Sequence, residues 1–430
     1  MTSWRAADER VWGAGAHDHR LPVPGPLADT GQGVSAMATV LQVYKTDFPS
    51  VSGGVDTVVC QLLRAQSTEW RQCLLRVAPW QERNPTPTHI EHIVVHALHL
   101  PAPPMERTTL RAWLGFLCGA VTAGWRVMRL LRAASVDLVH LHTLQHYHAY
   151  FVLASLLGGP PYVLTLHGSE VEAYGSRDRL TRALWRWTLR HAAALSAVSA
   201  TLAQRAHQQL PVGAAIDSLR NGVALAGETL PDSSALRARL GLQRPYCVMV
   251  GALIEAKGHD VGLRAWSLLP PSCAQLNLLV IGEGERMARY RAEVEQAGLA
   301  GRVHFAGQLP HADTLALMRD SALLVLPSRH EGFGLVAIEA GALGVPVVAS
   351  DLPVFRELLG ELGKGCLVAV DDADALAVAV ARVLHDEAAR RALGRAWRLR
   401  VAQEFALSAC MTRYQTWYRA ALGAHGKVPS

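Results

Sequence analysis

The stretch "ALLVLPSRHEGFGLVAIEAGALGVPVVA", residues 322–349, contains one complete unit of the predicted fold. An apolar run, 322–326, is followed by a loop, 328–333, a helical pattern, 334–343, and a second apolar run, 345–349. Continuous apolar runs separated by a helix are typical of parallel strands that are buried on both faces. The stretch therefore predicts a strand, a loop, a helix and a parallel strand in succession.

Apolar runs separated by helical patterns occur in two series along the chain. Six runs precede a polar junction that begins at Asn221-Gly222, and five follow it. The runs are 39–44, 72–77, 92–98, 138–141, 162–166 and 195–199, then 246–250, 276–281, 303–305, 322–326 and 345–349. Two such series predict an α/β protein with two Rossmann-like doubly wound domains. Ligands of such domains bind at the carboxyl ends of the strands, which here places them in the cleft between the domains.

These series and the stretches that flank them define four segments of the 430-residue chain. Residues 1–36, rich in Gly, Pro and polar residues, are predicted to be a disordered extension, and Met37 is a second candidate start. Residues 37–222 form the predicted N-terminal domain, and residues 245–402 form the predicted C-terminal domain. Residues 403–422 are predicted to form an amphipathic helix that packs back on the N-terminal domain.

Composition narrows the class of protein. The N-terminus mixes charges of both signs and lacks an apolar core, which argues against a signal peptide. The longest uncharged apolar run, Ala112–Trp125, is predicted to be a buried or interfacial helix, because it is too short to span a membrane. Seven scattered cysteines without a C-x-x-C pair indicate free thiols in a reducing cytosol.

Positive charge is concentrated in residues 101–220, which hold twelve arginines and six acidic residues. Four of these arginines share one side of a predicted helix: Arg179, Arg182, Arg186 and Arg190. Trp185 on the same helix is a candidate interfacial anchor. The pattern fits a peripheral membrane contact, and it fits equally a cover helix whose apolar stripe packs on the sheet. Nucleic acid is not predicted as a partner, because no aromatic platform accompanies the charge.

The opening stretch also carries two glutamates around a glycine turn. A helix that starts near Gly334 offers free backbone N–H groups and the positive end of its dipole to a phosphate. Gly332 and Gly334 let the backbone approach a ligand closely. Glu339, about one turn into the helix, can accept hydrogen bonds from a diol such as ribose, and Glu331 can reach sugar hydroxyls. An isolated pair at this spacing is more often a solvent-facing glutamate and a dipole-favouring acid.

Several motifs taken together resemble one known family. The stretch "LVLPSRHEGFGLVAIEAGALGVPVVAS" is similar to the nucleotide-sugar site of retaining glycosyltransferases with the GT-B fold, most closely those of family 4. Further similar motifs follow in the family's order: "KTDFPSVSGGVDTVV", "LTLHGSE", "LRNGVAL", "VMVGALIEAKGHD" and "LLVIGEGE". The resemblance extends from Met37 to about Leu422, and the family includes bacterial polysaccharide and lipid-linked sugar transferases.

The resemblance implies roles for eight residues. The implied catalytic residues are His167, Glu331 and Lys257, and the implied donor-binding residues are Gly53, Gly54, Phe333, Gly334 and Glu339. Glu339 would hold the ribose hydroxyls, Glu331 the donor sugar, and Lys257 the diphosphate. His167 would approach the reacting sugar, and the Phe333-Gly334 backbone would face the sugar and diphosphate. An ordinary turn at Gly53-Gly54 and a structural histidine at position 167 are the alternatives.

One position departs from the family pattern. The family commonly has an arginine directly after the glycine that ends the strand, five residues before the lysine, and this chain has Ala252 there. Half of the cationic clamp on the diphosphate is therefore missing. Arg329 is a candidate to replace it; otherwise weaker donor binding is expected.

Three weaker motifs point to other ligands. Gly282-x-Gly284 lacks the third glycine of a dinucleotide fingerprint, which argues against NAD. Asp372-x-Asp374 directly precedes a helical pattern and is better explained as a helix cap than as a metal site. The histidines between positions 140 and 148 have the spacing of a strand end and loop. The sequence thus predicts no metal and no cofactor, only a GDP- or UDP-linked sugar as donor substrate.

The expected activity is retaining transfer of a hexose from a nucleoside-diphosphate sugar to an acceptor hydroxyl. GDP-mannose is the first donor to consider, because "QVYKTDFPSVSGG" looks most like polysaccharide mannosyltransferases, and UDP-hexoses come next. The resemblance implies a lipid-linked or oligosaccharide acceptor in cell-surface polysaccharide biosynthesis. The implied location is the cytoplasm, with the inner face of the cytoplasmic membrane included. A nucleotide-sugar epimerase or phosphorolytic enzyme of the same fold and, because of Ala252, a non-catalytic donor-binding partner are the alternatives.

Overall fold

The structure, a computed structural model, describes residues 37–45, 48, 53–65, 67, 69–79, 87–104, 109–224, 230–243 and 245–425. The predicted disordered extension, residues 1–36, lies outside the described residues. Within them the chain forms two mainly parallel sheets, each covered by helices. The predicted α/β class with two doubly wound domains is confirmed.

The N-terminal sheet has eight strands in the order β3-β4-β2-β1-β5-β6-β7-β8. These are β1 Ala38–Tyr44, β2 Trp70–Val77, β3 Thr88–Ile90, β4 Ile93–Leu98, β5 Leu138–His142, β6 Tyr162–Leu166, β7 Ala194–Ala197 and β8 Ile216–Ser218. All neighbours are parallel except the β3–β4 pair. The helices of this domain are α1 Gly54–Arg64, α2 Leu110–Ala133, α3 Ala149–Leu156, α4 Ser169–Ala173, α5 Arg179–His191 and α6 Ala200–Gln209.

The C-terminal sheet has six parallel strands in the order β11-β10-β9-β12-β13-β14. These are β9 Tyr246–Val250, β10 Asn277–Ile281, β11 Val303–Gly307, β12 Leu323–Leu326, β13 Val347–Ser350 and β14 Leu367–Val368. The helices are α7 Ser234–Arg239, α8 His259–Ser267, α9 Met287–Gln296, α10 His311–Arg319, α11 Leu335–Ala342, α12 Pro353–Leu359, α13 Ala373–His385 and α14 Glu387–Glu404. The stretch 322–349 forms β12, α11 and β13, the succession that its pattern predicts.

The chain passes between the two sheets twice, side by side. The outgoing segment pairs with the returning one through the bridge Val223–Ala406, with Val223 N donating to Phe405 O at 2.9 Å and Leu407 N donating to Val223 O at 3.0 Å. After this crossing, the last helix, α15 Leu407–Gly423, packs on the N-terminal sheet. Its residues Tyr414 and Tyr418 share a buried cluster with Val40 and Trp70.

Two helices of the N-terminal domain differ from their predictions. In α2, whose predicted apolar run is Ala112–Trp125, only Ala123, Val127 and Leu131 are buried, so of the two predicted alternatives the buried helix is wrong and the interfacial helix stays a prediction. By length and composition alone α2 could cross a membrane, and only 17% of its most apolar window is buried, unlike the core helix of a soluble protein. In α5, Trp185 is 4% exposed and stacks on Tyr174, so it is a core residue and not an interfacial anchor. The apolar pattern of a helix in the sequence does not show whether its apolar face packs on the protein or is exposed.

Candidate active site

A cleft of about 490 Å³ lies where the carboxyl ends of the two sheets face each other. Its walls come from loops that follow β1 and β6 in one domain and β9, β10 and β12 in the other. This is where doubly wound sheets place their ligands, because the loops at the carboxyl ends present backbone N–H groups and the starts of helices. All eight residues to which the sequence assigns a role line this cleft.

The turn into α11 is built from glycine for steric reasons. Gly334 is the residue before the helix and has φ +89°, a left-handed conformation that favours glycine. A Cβ at this position would lie 2.9 Å from Cε1 of Phe355. The Phe333 side chain is buried against Phe405, at a ring separation of 6.1 Å. Only the backbone of Phe333-Gly334 is therefore left to face a ligand.

Lys257 and Glu331 form an ion pair inside the cleft. Lys257 Nζ lies 2.7 Å from Glu331 Oε2, and both side chains are partly exposed. Lys257 ends a short 3₁₀ turn after β9. Its side chain passes close to Gly251, where an added Cβ would lie 3.7 Å from Cγ and Cδ of Lys257. In the part of the chain that the structure describes, Lys257 is the only lysine or arginine that lines the cleft. Lys257 thus places a positive charge in the cleft that the start of α11 also lines.

Glu339 is a buried carboxylate on the same wall. Burial raises the pKa of Glu339, and the nearby His311 opposes this shift. His311 Nε2 lies 3.6 Å from Glu339 Oε1. A buried carboxylate with one neighbour at this distance can accept further hydrogen bonds from a ligand.

Arg329 does not supply the cation that is missing at Ala252. Its guanidinium is held by two carboxylates, Asp260 and Asp371, each at 2.7 Å, and it donates to Glu255 O at 2.8 Å. These partners raise the pKa of Arg329 and hold its side chain outside the cleft lining. The suggestion that Arg329 completes the clamp is therefore wrong. The sequence of the loop does not indicate in which direction the Arg329 side chain points.

The N-terminal wall of the cleft contacts the C-terminal wall, most closely at Gly332. Gly332 lies so close to the loop after β6 that a Cβ there would be 2.0 Å from His167 O. Ser199 Oγ donates to Gly332 O at 3.0 Å across the same junction. Gly54, at the start of α1, faces Leu335 at the start of α11. A Cβ added at Gly54 would lie 3.4 Å from Cδ1 of Leu335. At Gly332 the two walls approach so closely that only glycine fits between them.

Comparison with known proteins identifies the family. Residues 53–222 match the family described as "Glycosyl transferase 4-like domain", and residues 233–400 match "Glycosyl transferases group 1". The 2-deoxystreptamine glucosyltransferase of Streptomyces kanamyceticus is 31% identical over 338 residues, which are 73% of this chain and 85% of that protein. The chain belongs to the family-4 type of glycosyltransferases.

Two further proteins are similar to this glycosyltransferase. The phosphatidyl-myo-inositol mannosyltransferase of Mycolicibacterium smegmatis is 30% identical over 269 residues, 62% of this chain and 66% of that protein. The solved structure of Anabaena Alr3699/HepE in complex with UDP-glucose has a TM-score of 0.71 at 20% identity, and the match covers 88% of this chain and 99% of that chain. The structural likeness supports the GT-B fold.

Behind His167, the glycosyltransferase contains a chain of buried polar side chains that the sequence motifs do not indicate. His142 Nδ1 lies 3.2 Å from His167 Nε2, and His142 Nε2 lies 2.8 Å from Gln42 Oε1. Gln42 Nε2 donates to Tyr418 OH at 3.2 Å, which connects the chain to α15. The available signal was the presence of polar residues inside otherwise apolar strands, at Gln42 in β1 and at His142 in β5.

The remaining motifs have structural roles in the glycosyltransferase. Asp372 caps α13, with its side chain accepting from Ala375 N at 2.8 Å, as predicted. His140, the first histidine after position 138, bonds Tyr418 OH at 2.8 Å and Thr165 Oγ1 at 2.7 Å. Across the described ranges, no group of three or more His, Cys, Asp or Glu is arranged to hold a metal ion.

Proposed function

We propose that the cleft transfers a hexose, with retention of anomeric configuration and without a metal ion, from a nucleoside-diphosphate sugar to an acceptor hydroxyl. The observation that carries this proposal is the arrangement of one cleft wall. This wall contains the Lys257–Glu331 ion pair, the start of α11 and Glu339, and His167 lines the same cleft from the other domain. A cation, an amide-rich helix start and a buried carboxylate suit a diphosphate and a ribose.

The donor proposed first is GDP-mannose, on the strength of the motif near Lys45, and UDP-glucose is second. The second donor is favoured by the names of two similar proteins, a glucosyltransferase and a structure solved with UDP-glucose. Both donors share the diphosphate and ribose to which the proposed wall is suited. The two donors differ at the base and the sugar.

Departure of the nucleoside diphosphate is the step that this wall assists. Negative charge grows on the diphosphate as the glycosidic bond breaks, and Lys257 and the backbone N–H groups at the start of α11 stabilise it. Lys257 leaves Glu331 to do so, which frees Glu331 to accept from sugar hydroxyls. The acceptor proton passes to the departing phosphate on the face where the acceptor attacks, which retains configuration. Glu331 and Glu339 lie on one wall, so they do not flank the bond as a glycosidase pair does.

The acceptor proposed is a lipid-linked oligosaccharide of cell-surface polysaccharide biosynthesis. A similar protein is named a phosphatidyl-myo-inositol mannosyltransferase, which supports a lipid-borne acceptor. Contact with the cytoplasmic face of the membrane would involve α5, where Arg179, Arg186 and Arg190 are exposed and Arg182 is half-buried. The proposed location is therefore the cytoplasm, at the membrane surface.

The test is a transfer assay with a panel of nucleoside-diphosphate hexoses, bacterial membrane extract as acceptor, and EDTA in one arm. Transfer from one donor, unaffected by EDTA, with the anomeric configuration of the product determined by NMR, is the expected result. Donor turnover without acceptor would favour an epimerase, and nucleotide binding without turnover would favour a non-catalytic partner. A Glu331→Ala variant with an undiminished transfer rate would refute the role of Glu331.

A further inference from the structure

The apolar face of α2 is uncovered. Five large side chains at positions i, i+4, i+7, i+11 and i+15 form one exposed stripe: Leu110, Leu114, Leu117, Val121 and Trp125. Val121 is 74% exposed and Trp125 is 60% exposed. A soluble protein scatters such residues singly, and a contiguous patch marks a binding surface.

The neighbouring helices extend this surface. The helix α3 packs between α2 and α5. Its end exposes Leu153 and Leu156, and Leu157 follows directly, also exposed. The apolar patch, defined here as the α2 stripe together with these three leucines, therefore spans two helices.

The charged residues within the helices α2, α3 and α5 have one sign. The helices α2 and α5 carry four arginines each, and α2, α3 and α5 contain no aspartate or glutamate. In α2, Arg126, Arg129 and Arg132 lie in the half of the helix that packs on the domain. The guanidinium of Arg129 lies 4.8 Å above the Trp125 ring, which pairs a cation with an amphipathic aromatic residue. A protein partner would usually meet such a patch with an apolar core and a mixed polar rim, whereas helices that carry arginines and no acidic residue are complementary to anionic headgroups.

We propose that the apolar patch docks on an anionic lipid bilayer, with the stripe of α2 buried at the headgroup–acyl boundary and the arginines at the phosphates. The helix lies on the surface and does not cross it, because Ala123, Val127 and Leu131 hold its second half against the domain. Docking would hold the cleft at the membrane, where a lipid-borne acceptor is found. For that purpose the inference rests on the proposed function.

The test measures flotation with vesicles of phosphatidylcholine, with and without phosphatidylglycerol, in the absence of donor and acceptor. Loss of vesicle binding and loss of transfer activity are thus separate results. The full chain is expected to bind the anionic vesicles, and added salt is expected to weaken that binding. The triple variant Leu114→Gln, Leu117→Gln, Val121→Gln is expected to lower the partition coefficient by about tenfold or more.

The matched control replaces two exposed apolar residues of the other domain, Val378→Gln and Leu399→Gln, and should bind vesicles like the parent protein. Absence of binding by the parent protein, or equal binding by the triple variant and the control, would overturn the proposal. The proposal would also be overturned if the parent protein formed a dimer, the triple variant were a monomer, and neither bound vesicles. That outcome would make the apolar patch a contact between two copies.

A second inference concerns the polar chain behind His167. Gln42 uses its amide N–H groups on Tyr418 OH and on Gln72 Oε1, so its Oε1 accepts from His142 Nε2. His142 is then protonated at Nε2 and accepts at Nδ1 from His167 Nε2. Each ring has one proton when neutral, so the order of donors fixes both tautomers.

We infer that Gln42 and His142 are positioning residues that hold His167 as a neutral ring whose remaining nitrogen, Nδ1, accepts a hydrogen bond from a substrate hydroxyl. Burial lowers the pKa of His167 to about 3, which keeps the ring neutral. In this state the neutral His167 ring orients a substrate hydroxyl and supplies no positive charge. Lys257, on the opposite wall, supplies the positive charge.

The experiment compares Gln42→Leu with the conservative Gln42→Glu, whose carboxylate still accepts from His142. Side-chain ¹⁵N spectra of histidine-labelled protein, assigned with a His167→Ala variant, should show His167 protonated at Nε2 in the parent protein and in Gln42→Glu. In Gln42→Leu the tautomers should mix and kcat/KM should fall about tenfold. An unchanged His167 tautomer in Gln42→Leu, or the same loss of activity in both variants, would show a merely structural role and overturn the inference.

Discussion

The backbone contact at Gly332 gives a prediction that depends on geometry alone. An added Cβ would meet His167 O at 2.0 Å, His167 C at 3.1 Å and Gly168 Cα at 3.5 Å. Real Cβ atoms essentially never approach a heavy atom closer than 3.0 Å, so the two walls must separate by about 1 Å in Gly332→Ala. Gly332 is not among the residues with positive φ, so alanine itself is not strained there.

The consequence should be opening of the cleft and not unfolding. All three atoms that the Cβ meets belong to the other domain, so the clash is relieved by movement about the crossing at Val223 and Ala406. That movement displaces His167 from Glu331 by a similar distance and lengthens the Ser199–Gly332 hydrogen bond. A misplacement of about 1 Å in an active site costs roughly 100-fold in rate, or about 2.7 kcal/mol of transition-state stabilisation.

The assay is steady-state transfer together with thermal unfolding. Gly332→Ala should lose about 100-fold in kcat/KM while its unfolding midpoint moves by less than about 3 °C, since that shift corresponds to about 1 kcal/mol in a domain of this size. Gly301→Ala, where the new Cβ meets nothing within 4 Å, is the control and should match the parent protein. A kcat/KM for Gly332→Ala within about threefold of the parent would refute the closed cleft, and a large fall in the midpoint would refute relief by opening.

Three further predictions concern charge. Lys257→Ala should lower kcat by about 10² to 10³, and Lys257→Arg should recover part of it; a change in KM alone, measured by initial rates, would contradict the role at the leaving diphosphate. Burial raises the pKa of Glu339, so donor affinity measured by calorimetry should fall as pH falls through that raised pKa, whereas Glu339→Gln should bind weakly at every pH. Burial lowers the pKa of His148 to about 3 and that of His259 to about 4. The folded state keeps both rings neutral, so stability is complete above pH 6.5 and is lost below it; the two rings should cost about 3 kcal/mol at pH 5.5, and a urea midpoint equal at pH 5.5 and 7.5 would exclude this.

The pattern of apolar runs was sufficient for the fold because most strands are buried on both faces. Each of the eleven predicted runs corresponds to a strand, and three strands were missed: β3, β8 and β14. All three are edge strands of two or three residues. An edge strand is paired on one side and often partly solvated, so it needs no continuous apolar run.

Site residues could be predicted from the sequence where the backbone conformation requires one residue type. They could be predicted less well where the role depends on the direction in which a side chain points. Gly334 must be glycine because of its left-handed φ and the nearby Phe355 ring, and such a need is visible as a motif. Arg329 and Trp185 were misplaced, because ion-pair partners and core contacts come from residues distant in sequence. Gln42 belongs to the same class, since its partners His142 and Tyr418 lie in β5 and α15.

The position of α15 has a consequence for the order in which the protein can be made. The face of the first sheet that contains Val40 and Trp70 is covered by Tyr414 and Tyr418, which follow the second domain in sequence. During synthesis the residues of the second domain therefore leave the ribosome before α15 does. Until α15 follows, one face of the first sheet is not covered. A nascent chain in this interval presents an unprotected apolar sheet, which is a target for chaperones. A premature stop just before residue 407 would consequently damage the first domain to be translated and spare the second.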